Sequence, residues 1–205
     1  MEQKKYHEDL LHIRSMMERS SRFISLSGLS GVFAGLSALL GAVYVYFILK
    51  REGIDYFAGK SNIYSVDLVC ELFVVGFIIL AIAIFSGCFF TVRKSRKNNL
   101  KIWDSTIRKM LFNFAIPLVV GGIFCLGVSY HGLFAFIAPI TLIFYGLALV
   151  SVSGYTITDV RYLGYLEILL GLLSVFFIGW GLVFWGIGFG VLHIVYGILM
   201  YAKYK

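Results

Sequence analysis

Charge is scarce in this sequence: Asp, Glu, Lys and Arg make up 14% of its 205 residues, where a soluble domain carries about 25%. That shortage excludes a soluble enzyme domain, because 60% hydrophobic residues would leave more apolar surface than one core can hide. It also excludes disorder, which needs low hydrophobicity and high net charge. Cysteine is limited to Cys70, Cys88 and Cys125, each inside an apolar run, with no CxxC pair and no His/Cys cluster at metal spacing. Such cysteines read as small buried hydrophobes. No Walker loop, HExxH or GxSxG is present, and the 22 glycines open no βαβ phosphate-binding turn. Nothing calls for a metal or a cofactor, and no nucleophile–base pair marks catalytic residues.

The chain is rich instead in long apolar runs, which makes it an all-α, multi-span membrane protein with the lipid bilayer as its first partner. About 20 apolar residues cross the hydrocarbon as a helix. Runs of sufficient length fall at about 23–49, 66–92, 110–129 and 133–152. The last run, 162–202, would be roughly 60 Å long as one helix, about twice the bilayer core, so it must fold back. Gly179-Trp180-Gly181 supplies the turn and an interfacial aromatic, giving spans of about 162–178 and 182–202. Six spans therefore fill a transmembrane domain at 23–205. Tyr130-His131-Gly132 is long enough only for a hairpin, so the third and fourth spans are antiparallel neighbours.

Residues 1–22 precede the first span and are polar, with Leu10, Ile13 and Met17 at helical spacing and Leu11 and Met16 widening the stripe. This pattern predicts an amphipathic helix on the membrane surface. It is not a signal peptide, since the polar lead is long and no small-residue cleavage site closes a short apolar core.

A net charge of +7 would suggest nucleic acid in a soluble protein, but here the distribution of Lys and Arg carries the information and no nucleic acid is implied. With both termini inside, segments 1–22, 93–109, 153–161 and 203–205 hold fifteen basic residues, and the outer loops hold Lys50, Arg51 and Lys60. That asymmetry places both termini in the cytoplasm.

Span one carries Ser27, Gly31 and Gly35 four apart, beside Ser30, Ala34, Ala38 and Ala42 at the same spacing. Small residues so arranged let another helix approach closely, either within the chain or as the seam of a homo-oligomer. A weak repeat relates Leu118–Gly121 to Ile168–Gly171, and Tyr145-Gly146 to Tyr196-Gly197.

Ionisable groups inside a membrane are costly and mark sites or paired contacts. Asp67 and Glu71 sit at the outer rim of span two. Glu167 and His193 lie deeper. By helical rise, Asn113, Tyr145, Glu167 and Tyr196 share the cytoplasmic half, with His193 about 6 Å from Glu167 in depth. These five form a candidate ligand-binding pocket, open to the cytoplasm, for a small polar solute or a proton. His131 and His193 differ too much in depth for a bis-histidine haem.

The stretch MMERSSRFISLSGLSG (residues 16–31), with FYGLALV (144–150) and FGVLHIVYGI (189–198), resembles a family of uncharacterised small bacterial membrane proteins. The resemblance implies a bacterial inner-membrane protein and transfers no site residues. The expected function is binding, sensing or coupling to a cytoplasmic partner; the alternative is a small-solute or ion transporter or channel, with an intramembrane enzyme behind both.

Overall fold

A computed structural model describes residue 6 and residues 28–54, 64–97, 103 and 105–203. Among these the protein is all-helical. The helices are α1 (Gly28–Arg51), α2 (Val66–Lys97), α3 (Ser105–Tyr130), α4 (Ile137–Val152), α5 (Asp159–Phe176), α6 (Gly181–Trp185) and α7 (His193–Lys203). A π-helical stretch, Gly186–Leu192, joins α6 to α7, so that Ile178–Lys203 is one continuous rod. Five of these stretches are long and apolar enough to cross a membrane: α1, α2, α3, Phe134–Val152 and Ile178–Lys203. The sixth, α5, is shorter and carries Asp159, Arg161 and Glu167. Apart from Tyr6, the expected surface helix at 1–22 lies outside the described residues, as does the seam residue Ser27.

The helix ends follow local chemistry. After α1, Gly53 takes φ 70°, the Gly53 amide donates to Lys50 O and the Ile54 amide to Leu49 O. After α3, Gly132 takes φ 73°, its amide donates to Ser129 O and that of Leu133 to Val128 O. Both are left-handed glycine caps that satisfy the last carbonyls of a helix. The fold-back expected at residues 179–181 is present, as the turn Ile178–Trp180 between α5 and α6. Two boundaries differ from the apolar pattern. α2 continues to Lys97 and α3 begins at Ser105, because Lys and Arg are good helix formers and leaving the hydrocarbon does not end a helix. Pro139 does not kink its helix: it sits in the first turn of α4, where no intrahelical amide donor is needed.

α1 runs antiparallel to α2 and to the final rod, and α4 antiparallel to α3 and α5, whereas α4 and the final rod run parallel, Leu142 meeting Gly188 and Tyr145 meeting His193. Along α1 and α2, Phe33 stacks on Phe90 with centroids 5.2 Å apart, Gly41 meets Ile79, and Ile48 and Leu49 pack on Leu68. α1 also lies against the final rod. A Cβ at Gly35 would come within 2.6 Å of Gly190 O, and one at Gly31 within 3.1 Å of His193 O. The small-residue stripe of span one is therefore filled by the last helix of the same chain, which resolves the seam at Gly31 and Gly35 as intramolecular. On the other side, α4 and α5 cross at Gly146 and Gly164, where a Cβ on either would sit 2.6 or 2.8 Å from the opposite carbonyl oxygen. Lipid offers no hydrophobic drive between helices, so such contacts stabilise by dispersion and are lost once the backbones part.

The final rod is the centre of the bundle, and its glycine spacing explains how. Gly186 and Gly190, one turn apart, face Leu39 and Ala42 of α1. Gly188, two residues from each, falls on the opposite face against Leu142 of α4 and Glu167 of α5. α2 packs outside α1, and α3 outside α4, with large apolar side chains such as Phe77 and Phe112 directed outward. An exposed apolar surface of this extent belongs in lipid rather than water.

Candidate functional site

The ion pair between Lys203 Nζ and Asp159 Oδ2, 2.7 Å, levels the start of α5 with the end of α7. From that level, helical rise puts Glu167 about 12 Å and His193 about 15 Å into the bundle. The two side chains therefore meet. His193 Nδ1 is 3.4 Å from Glu167 Oε1, with the carboxyl fully buried.

The imidazole has three neighbours that divide its two nitrogens. Nδ1 lies 3.0 Å from Gly188 O, and since a carbonyl only accepts, Nδ1 is the donor. In the neutral ring Nε2 is then an acceptor, and the Tyr145 hydroxyl, 2.8 Å away, donates to it. Glu167 is the unusual member. At 3.4 Å its Oε1 is within ion-pair reach of Nδ1, yet the Nδ1 proton is aimed at Gly188 O, and neither carboxyl oxygen has a hydrogen-bond partner among the described residues. Short charge-assisted bonds run about 2.7–2.9 Å, so this pair is poised rather than closed. A charge with no donor on either oxygen costs several kcal/mol in such surroundings, about as much as any single interaction in the bundle returns.

Aromatic rings enclose the centre. Phe189 stacks on His193 with centroids 5.9 Å apart, and it meets Tyr145 and Trp185 at a tilt, at 4.9 and 5.0 Å. Phe114 of α3 meets Tyr145 edge-on. Tyr145 and Tyr196 both pack on the cluster of Leu149, Val152, Val160 and Leu163, and the Tyr196 hydroxyl is buried.

Four of the five residues expected from depth thus belong to one neighbourhood: Tyr145, Glu167, His193 and Tyr196. Asn113 does not join their bonds, since its Nδ2 donates to Lys109 O one turn back in its own helix. The neighbourhood is packed shut rather than open. Glu167 has no exposure, His193 has 7%, and a Cβ at Gly188 would lie 2.5 Å from Glu167 Oε2. Depth alone could not reveal this, because side-chain depth says nothing of how closely the helices approach. Depth also missed Gly188 and Phe189, for which the alternating glycines at 186, 188 and 190 are the available signal. The His193 amide bonds to Gly190 O, while its ring takes the Gly188 carbonyl; π segments of this kind recur at functional sites.

At the rim, Glu71 is engaged by Arg51, with Nη2 2.6 Å from Oε2, and Arg51 also meets Glu52. The Glu71 carboxylate at the start of α2 is thus paired at an exposed rim. Among the described residues, no group of three His, Cys, Asp or Glu side chains could hold a metal. Comparisons with protein-family models, curated proteins and solved structures returned no match.

Proposed function

We propose that this is a bacterial inner-membrane protein of six spans whose Glu167–His193–Tyr145 centre binds a proton and couples it to the shape of the final rod, making it a sensing or partner-coupling protein. The observation that carries this reading is the position of His193 Nδ1, between Gly188 O at 3.0 Å and Glu167 Oε1 at 3.4 Å. With a proton on Glu167 the carboxyl carries no charge and the imidazole keeps its bond to the π segment. Without it, the carboxylate draws the Nδ1 proton away from Gly188, and the carbonyl is released where the rod is least regular. The ionisable groups facing one another here are Glu167 from α5, Tyr145 from α4, and His193 and Tyr196 from the rod. α3 contributes the Phe114 ring, and α1 meets the opposite face of the rod through Leu39 and Ala42. Close packing around Glu167 favours a proton over a larger solute as the occupant.

Infrared titration of the purified chain tests proton binding directly. A protonated-carboxyl band that disappears in Glu167→Gln, together with amide protection at residues 186–192 that changes with pH beyond the intrinsic rate of exchange and stops doing so in the same variant, is the expected result. An identical exchange profile in both proteins would overturn the coupling.

α5 completes the sixth span in this reading. Its three charged residues sit at one end or in the buried centre, which removes them from lipid. Fifteen basic residues on one side support cytoplasmic termini, with residues 1–22 lying on that surface. Close contact of Gly28 with Tyr201 is consistent, since it puts the start of α1 and the end of α7 at the same face of the bundle. Ser61→Cys should react with an impermeant maleimide in intact cells, and Asn98→Cys should not, in a chain lacking the native cysteines. Reaction at Asn98→Cys would reverse or break the topology.

A proton-linked transporter of a small polar solute is the second reading, favoured by the π segment beside the centre. Loss of an imposed pH gradient in proteoliposomes that depends on Glu167 would select it.

A further inference from the structure

The basic end of α2 carries a groove of about 510 Å³ lined, among the described residues, by Phe85, Cys88, Phe89, Val92, Arg93 and Arg96. These positions recur at intervals of three and four, so they form one stripe along one helix face. Another side of the helix is turned inward, where Ile79 meets Gly41 and Phe90 stacks on Phe33 of α1. Arg93 and Arg96 are exposed, and neither has an acidic partner among the described residues. Some basic side chains elsewhere in the bundle are paired. Arg51 is held by Glu52 and Glu71, and Lys203 by Asp159. The two arginines also stand on a helix that remains regular to Lys97, so their backbone positions are fixed relative to the apolar floor below them.

From Phe85 to Arg96 the stripe is roughly 16 Å long at helical rise, about half of a hydrocarbon core of about 30 Å. It therefore matches the depth of a single leaflet, with the positive charge at headgroup level. Guanidinium pairs bind phosphate bidentately, and a zwitterionic headgroup would bring its own cation against them. We propose that this groove is a binding site for an anionic phospholipid, its acyl chain along Phe85, Phe89 and Val92 and its phosphate held by Arg93 and Arg96. The proposal rests on the reading of α2 as a membrane span and is independent of the buried centre.

The test is native mass spectrometry of the full chain, purified in a neutral detergent, with phosphatidylglycerol or phosphatidylcholine added. The wild-type chain should retain phosphatidylglycerol in preference, with each arginine contributing about fivefold. R93Q/R96Q should lose the preference. R108Q/K109Q, which removes the same charge from the start of α3, should keep it. If R93Q/R96Q fails to purify, R93K/R96K carries the test: it keeps the charge without the bidentate geometry and should show a reduced preference. Equal retention of the two lipids, an equal loss in R108Q/K109Q, or full wild-type preference in R93K/R96K would overturn the site. Excess inorganic phosphate should leave the adduct intact, and its displacement would assign the arginines to free phosphate instead. A chain that needs detergent yet shows no preference rejects the groove alone; one soluble without detergent rejects the membrane reading as well.

Discussion

Gly146→Leu is expected to abolish the folded bundle, while Gly122→Leu leaves it intact. A Cβ at Gly146 would fall 2.6 Å from Gly164 O and 2.9 Å from the Ile168 amide nitrogen. Both obstacles are backbone, so relief requires α4 and α5 to separate as rods, and the crossing loses its dispersion contacts on both sides. Overpacking costs about 1–3 kcal/mol where side chains can shift, and this site should stand at or above the top of that range. At Gly122, on the outward side of α3, nothing lies within 4 Å of the added Cβ. Size-exclusion chromatography and thermal unfolding in detergent separate the two. A monodisperse Gly146→Leu protein with an unchanged midpoint would mean that the backbones do not meet closely at the α4–α5 crossing.

The second large effect concerns the centre itself. Tyr145→Phe removes the hydroxyl that donates to His193 Nε2 and leaves that nitrogen buried without a partner, at a cost of about 1–3 kcal/mol. Glu167→Gln acts at the other nitrogen of the same ring. If His193 links the two, the double variant should depart from additivity by about 0.5 kcal/mol or more, because the imidazole answers both changes by choosing which nitrogen carries its proton. Unfolding of the two single variants and the double variant gives the coupling. Additive losses would show that Tyr145 and Glu167 act separately, and the proton centre would shrink to the Glu167–His193 contact.

The first effect turns on glycine. The sequence shows small residues at regular spacing and cannot say which helix fills the gap they leave. Gly31 and Gly35 fit a dimer seam as well as an internal one by pattern alone, and only the approach of Gly190 and Gly197 makes the seam internal. The same ambiguity extends to the repeat of Tyr145-Gly146 and Tyr196-Gly197. Each glycine admits a neighbouring helix, α5 in the first case and α1 in the second, while the tyrosine beside it packs on the shared cluster around Leu149.

Sequence by itself determined the helical class, the positions of the apolar runs, the fold-back near residue 180 and the antiparallel turn at Gly132. Each of these depends on local composition: enough consecutive apolar residues to cross hydrocarbon, or a glycine able to adopt positive φ. It also selected Glu167, His193, Tyr145 and Tyr196, because an ionisable or polar group in an apolar run must be satisfied somewhere. What tertiary structure alone decided was the rotation of each helix about its axis. That rotation brings Glu167 against Gly188, turns Asn113 back onto its own helix, closes the expected cavity, and sends Arg93 and Arg96 outward. The physical reason is that span hydrophobicity is nearly uniform around these helices, so lipid and protein compete equally for every face. Backbone approach at a few glycines, and the pairing of a few polar atoms, break that tie.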